Sequence, residues 1–168
     1  MIEYCDVYNL DHERTGRKVE RNKWDLQEGE YYLSVLGVIS LPDGRFLITQ
    51  RDGSKAWAPG WWEVPGGGVM AGEESSEAII REIAEETGLD ISGAEGGYLF
   101  SYHRENPKNS ENYIVDIYRY TLEFREEDIR LQDTETAGFR LADRNEVRSI
   151  AEQGFFLHYD SIKRAFEE

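Results

Sequence analysis

Glu82, Glu85 and Glu86 fall within one five-residue run, and Arg81 is the only basic residue between Glu73 and Glu86. Carboxylates gathered this densely can hold a divalent cation, and a cation beside a phosphoryl group promotes hydrolysis at phosphorus. A helical advance of about 100° per residue puts Ile79, Ile80, Ile83 and Ala84 in one apolar stripe and turns the three glutamates to the far side. Glu82 is three residues from Glu85 and four from Glu86. Such neighbours repel by a few tenths of a kcal/mol per pair. Glu85 and Glu86 also occupy the last turn, where the helix dipole disfavours anions. A bound cation would offset both penalties. The plainer alternative is a solvated acidic face, but exposed helices usually interleave lysine with glutamate.

The wider spacing is more specific. Gly67, five residues, Glu73, seven residues, then Arg81-Glu82-Ile83-Ala84-Glu85-Glu86-Thr87-Gly88-Leu89 resembles the complete Nudix box, with Ile83 and Leu89 at its aliphatic positions. The resemblance implies an α+β fold, a Nudix-type α/β/α sandwich around a mixed, curved sheet. It also implies Mg²⁺-dependent cleavage, with Mn²⁺ as a substitute, of the diphosphate linkage in a nucleoside diphosphate joined to another group. The expected metal ligands are the Gly67 carbonyl, Glu82, Glu85 and Glu86, with Arg81 orienting them. The expected catalytic set is Arg81, Glu82, Glu85 and Glu135; the base is either Glu82 or a late-loop acid, Asp133 or Glu135. Glu73 is expected to be structural, pairing with a cation near the start of the helix.

Substrate contacts are sought upstream and downstream of the box. Trp57, Trp61, Trp62 and Tyr102 offer aromatic faces to a nucleobase, with about one of the four expected to touch it. Arg51, ending a strand, could reach a phosphate, and the substrate-binding set is Arg51, Trp62, Glu63 and Tyr102. His12, His103 and His158 lack the HExxH spacing of a zinc hydrolase. The segment from Leu47 to Gly67 partly resembles coenzyme A pyrophosphatases, but Ala56 and Val64 stand where that pattern has arginine and phenylalanine. The piece from Asp6 to Gly16 is similar to the opening of isopentenyl-diphosphate-isomerase-like Nudix proteins. Their isomerisation needs an active-site cysteine, and the single cysteine here is Cys5. A non-catalytic nucleotide sensor would tolerate loss of box glutamates, and none is lost.

These residues must be carried by a folded chain. A length of 168 residues fits one domain, with residues 1–30 as an arm or small leading sheet, 31–153 as the main body and 154–168 as a helical tail. A hydrophobic content of 39% supports a packed core. A net charge of −15 disfavours nucleic-acid backbone and anionic membrane, so the expected partner is a small molecule. Residues 1–30 are a candidate dimer contact. One cysteine permits no internal disulfide, no apolar run approaches the ~20 residues that span a bilayer, and Met1-Ile2-Glu3-Tyr4 lacks a basic signal start. The expected location is the cytoplasm.

Strands are expected over 32–39 and 45–50, joined as a hairpin by Pro42-Asp43-Gly44. A short strand ending in a flexible turn is expected over 63–68, and further strands over 98–102, 112–124 and 137–141, with Ile114, Asp116 and Tyr118 on one side of theirs. Thr15-Gly16 reads as a turn. Gly88 should cap the acidic helix, Asp143 should start a helix to about Gln153, and a last short helix is expected over 161–166.

Overall fold

The computed structural model describes residues 1–23, 25–106, 111–132 and 134–167, so Asp133 lies outside the described residues. The strands are β1 (Tyr4–Tyr8), β2 (Arg14–Glu20), β3 (Tyr32–Ser40), β4 (Phe46–Arg51), β5 (Trp62–Glu63), β6 (Gly66–Gly68), β7 (Glu95–Arg104), β8 (Tyr113–Thr121) and β9 (Thr136–Ala142). The helices are α1 (Ser75–Thr87), α2 (Arg144–Glu152) and α3 (Tyr159–Ile162), the last running into a 3-10 turn over Lys163–Phe166. β1 and β2 form a separate antiparallel pair. The main sheet has the order β5-β4-β3-β8-β7, with β6 also on β3 and β9 also on β4. β3 and β8 run parallel while the other pairs are antiparallel, which makes the sheet mixed.

α1 packs on one face of this sheet through Ile79 and Ile83, both fully buried against Val35, Ile39 and Tyr118. Burial of each isoleucine contributes about 1.5–3 kcal/mol. The helix comes unusually close to β3 at Gly37, where a Cβ would stand 2.8 Å from the Ile83 Cδ1. On the opposite face Val147 of α2 and Ile162 of α3 meet Val38, Ile48, Val115 and Ile117. β8 therefore alternates as a two-sided strand must, with Ile114 and Tyr118 toward α1 and Val115 and Ile117 toward the other helices. This is the α/β/α layering that the sequence leads one to expect.

Three local expectations are revised. The first turn falls at Asn9–Glu13 rather than Thr15-Gly16: Asn9 Oδ1 accepts from the Asp11 and Glu13 amides at 2.9 and 3.1 Å. The asparagine side chain closes the turn itself, leaving Gly16 inside β2. The β3–β4 hairpin holds only at its turn, with Ser40 opposite Phe46. Beyond that pair β3 and β4 separate: β5 takes β4 at Thr49↔Glu63 and Gln50↔Trp62, β9 lines β4 from Phe46 onward, and β6 takes the freed edge of β3, from Leu36↔Gly66 to Ser34↔Gly68. Where a short strand ending in a flexible turn is expected over 63–68, the chain forms two short strands on different neighbours, the glycines being the second of them. Among the described residues no helix is long and apolar enough to cross a membrane.

Candidate active site

α1 begins where Glu77 Oε1 accepts from the Glu74 amide at 3.0 Å, half of a capping box. It ends at Gly88, whose φ of 77° is the left-handed cap conformation. Between these ends the acidic side is less uniform than helical periodicity suggests. Glu85 is exposed, but Glu82 retains only 7% of its exposure. Ala84, expected in the apolar stripe, faces solvent, while Ala78 is buried in its place. The cause is β6, which lies along this flank of the helix and covers Glu82. Gly67 makes that approach feasible: a Cβ there would stand 2.5 Å from the Glu82 carboxylate. The Gly66 amide donates to Glu86 Oε2 at 3.3 Å.

Arg81 organises the acids around it. Its Nε and Nη2 grip both oxygens of Glu73 at 2.8 and 2.9 Å, its Nη1 donates to Glu82 Oε1 at 2.8 Å and reaches Glu85 at 3.4 Å, and its Nη2 also donates to the Gly68 carbonyl at 2.9 Å. The bidentate grip on Glu73 uses the planar fork that lysine lacks. Glu86 is left outside this arrangement. Desolvation, with the Glu82 and Glu63 charges next, pushes its carboxyl up to about 9. Burial likewise raises Glu82, against the opposing pull of Arg81. Among the described residues no three histidine, cysteine or acidic side chains already surround a common point, since Arg81 draws Glu82 and Glu85 to itself. The chemistry of the set still fits a hard divalent cation. Its donors are all oxygens, and the partly desolvated Glu86 carboxyl has no cationic partner among the described residues.

A cleft of about 690 Å³ adjoins this flank, with Gly66, Gly67 and Glu63 in its wall. Arg51, Trp57, Tyr102, Arg104 and His158 also line it. Arg51 Nη1 donates to Glu63 at 3.3 Å and its Nε to the Trp57 carbonyl at 3.0 Å. Burial raises the Glu63 carboxyl, opposed by Arg51, and pushes the Tyr102 hydroxyl up to about 12. Glu135 is ion-paired with Lys55. Its charge also acts on Glu63 and Glu86, so the late loop stands near the acids of β5 and α1. Trp62 does not line this cleft. Strand alternation at β5 sends Glu63 to the cleft and Trp62 to the opposite side, beside Ile150 and Phe155. Trp61 is edge-on to Phe155. Cys5 is buried in β1 among Val7, Val19 and Tyr32.

Residues 30–164 match the NUDIX domain. The chain belongs to the NUDIX family. An uncharacterized Nudix hydrolase of Listeria monocytogenes is 30% identical over 98% of this chain and 94% of its own length. The CTP pyrophosphohydrolase of Escherichia coli is 36% identical over a shorter stretch, 44% of this chain and 52% of that protein. A crystal structure from Deinococcus radiodurans shares the fold with a TM-score of 0.72 at 21% identity, covering 91% of each chain. This Nudix protein is thus a pyrophosphohydrolase acting on phosphorus-containing anhydrides.

Two cleft residues of this Nudix hydrolase escape sequence reading. His158 carries no motif, and Arg104 looks like any strand-end arginine. Only the fold brings them together, with Arg104 Nη1 3.4 Å from His158 Nδ1.

Proposed function

We propose that this Nudix hydrolase cleaves the diphosphate linkage of a nucleoside diphosphate joined to another group, with Gly67, Glu82, Glu85 and Glu86 as the residues that hold Mg²⁺ or, as a substitute, Mn²⁺. The observation that carries the reading is the seating of the Gly66–Gly67 backbone against buried Glu82 and uncompensated Glu86, with the same glycines forming the cleft wall. When bound, the cation supplies charge to the phosphoryl oxygens and acidifies water for attack at phosphorus. The residues of the chain do the rest.

Arg81 restrains Glu82 and Glu85 at one end of their side chains. Glu86 holds a proton in the metal-free protein near neutral pH and would have to release it to hold a cation. Arg51 steadies Glu63 in the cleft wall and offers positive charge to the departing phosphate. Glu135 accepts the proton of the attacking water on a carboxylate oxygen, since Lys55 holds it near the acids of β5 and α1 and it belongs to neither Arg81 nor α1. One P–O bond forms, the bridging P–O bond breaks, and its electron pair leaves with the other phosphate. Trp57, Tyr102 and Tyr113 offer aromatic surfaces to the substrate from the cleft wall.

The test is incubation with a panel of nucleotide diphosphate derivatives and Mg²⁺, with the products identified. Paired phosphate products that vanish with chelator are expected, and Glu135→Gln should slow their release by about 10²–10⁴-fold. Binding of the panel without product release would identify a sensor instead.

A further inference from the structure

The outer strands of a sheet expose backbone hydrogen-bonding groups, and a folded chain has to cover or blunt them. Most outer strands of this protein are dealt with. β5 is closed by residues 155–157: the Trp62 amide donates to the Phe155 carbonyl at 2.8 Å and the Leu157 amide to the Trp62 carbonyl at 2.9 Å. β6 has only three residues and lies against α1. β9 carries Arg140, ion-paired with Glu146. In the leading sheet, β2 is blunted by Arg17 and Lys18. β7 is the exception. It is ten residues long, pairs among the described residues only with β8, and carries neither charge nor proline from Gly96 to Tyr102. Two large side chains stand open at its middle, Tyr98 at 56% and Leu99 at 46% exposure.

The irregularity of β7 fits pairing with its own sequence. The register on β8 passes from Tyr98↔Tyr118 to Phe100↔Ile117, so Leu99 is the extra residue of a β-bulge. The bulge resets the alternation of faces. Before it, Tyr98 meets Tyr118 on the α1 side, and Gly97 lies opposite Arg119, whose guanidinium covers Phe46 on the other side. After it, Ser101 donates to Asp116 at 2.6 Å on the α1 side, while Phe100 and Tyr102 join Val115 and Ile117 on the other. An antiparallel second copy centred between Leu99 and Phe100 therefore matches face for face. Tyr98 falls opposite Ser101 of the second copy, Gly97 opposite Tyr102, Gly96 opposite His103 and Glu95 opposite Arg104. Two-fold symmetry makes the Glu95–Arg104 contact twice. A parallel copy would instead set Glu95 beside Glu95. The glycines are complementary too: a Cβ at Gly97 would meet nothing within 4 Å, and Glu95, Gly97, Leu99 and Arg119 border a hollow of about 520 Å³. Aromatic rings set across from edge glycines fill such space. In a chain of net charge −15, two copies repel unless their contact is neutral or charge-matched. The middle of β7 is neutral and its ends are matched.

We propose that the protein forms a two-fold dimer in which β7 pairs antiparallel with β7 of a second copy, joining the two main sheets into one. Backbone hydrogen bonds supply the affinity, and the charged ends fix the register. The dimer contact then lies on β7 rather than on residues 1–30.

Sedimentation equilibrium of the full chain tests this. Wild type should be mostly dimer at protein concentrations on the order of 100 µM, where a micromolar contact is filled. Leu99→Lys changes an exposed side chain and places like charges at the two-fold axis. It should weaken association at least about tenfold with a melting temperature near wild type. Glu95→Arg and Arg104→Glu should each weaken association, and the double variant should recover most of the loss. Leu10→Lys, at the exposed tip of the leading sheet, should leave association unchanged. In hydrogen exchange, β7 amides should gain protection as concentration rises while β2 amides do not. A monomer throughout, undiminished association of Leu99→Lys, no recovery in the double variant, or a loss in Leu10→Lys would each overturn the β7 dimer.

Discussion

Glu86 is the residue whose behaviour most depends on a cation. Without one, its carboxyl is desolvated near Glu82 and Glu63 and titrates at about 9. Its unfolded-state value is near that of an ordinary glutamate, about 4.3. The native state therefore binds the proton more tightly, and the stability Glu86 contributes is complete below about pH 4, then lost as pH rises toward 9. In chelator the melting temperature should fall across this window. Glu86→Gln should flatten the fall and raise the melting temperature at pH 8, each kcal/mol being worth about 2–4 °C at this size. The same substitution should lower kcat at least about a hundredfold if cation electrostatics dominate the barrier. A destabilised Glu86→Gln protein in chelator would mean that the side chain is structural. Spacing made the types and neighbours of these glutamates legible. It could not show that Glu82 would be covered while Glu85 stayed exposed, because the covering strand comes from outside the helix.

At the scale of elements, the two glycines of β6 make opposite demands. A Cβ at Gly66 would strike the Val35 backbone carbonyl, which β3 holds in place. Gly66→Ala should cost about 3 kcal/mol, the upper part of the range for overpacking, measured by denaturant unfolding. A Cβ at Gly67 meets instead the end of the Glu82 side chain, which can swing. Gly67→Ala should therefore cost only about 1 kcal/mol. Its effect on kcat should be larger, on the order of a hundredfold, because a carboxylate displaced by about 1 Å loses its alignment. Equal and large losses of stability in both variants would contradict this division. The element types were mostly legible from alternation, the Gly88 cap and the Asp143 start, where Asp143 Oδ1 accepts from the Glu146 amide at 2.8 Å. The pairing was not. β4 pairs with β9, far along the chain, from Phe46 onward, and which of Trp62 and Glu63 faces the cleft depends on how β5 pairs with β4, which alternation in the sequence alone does not give.

Over the whole molecule, the small leading sheet braces the loop before α1. Arg14 donates to Asp6 at 3.1 Å, to Glu74 at 3.0 Å and to the Glu73 carbonyl at 2.9 Å, while Asp6 accepts from the Gly72 amide at 2.8 Å. Glu73 in turn grips Arg81, which restrains Glu82. Arg14→Ala should cost about 1–3 kcal/mol, because it leaves buried Asp6 short of a charged partner. It should also lower kcat by a smaller factor than any change at Glu86; unchanged stability would show the sheet to be a passive appendage. A turn signal between short apolar pieces allows either an arm or a small leading sheet over residues 1–30, and the role as a brace depends on contacts sixty residues apart. The whole account depends on the acid flank of α1 taking up a divalent ion next to the cleft. Titration of the metal-free protein with Mn²⁺, followed by paramagnetic resonance, tests that most directly. Wild type should bind the ion in an oxygen environment, and Glu82→Gln and Glu86→Gln should each weaken binding at least about tenfold while remaining folded. Undiminished Mn²⁺ binding in both variants would contradict the account.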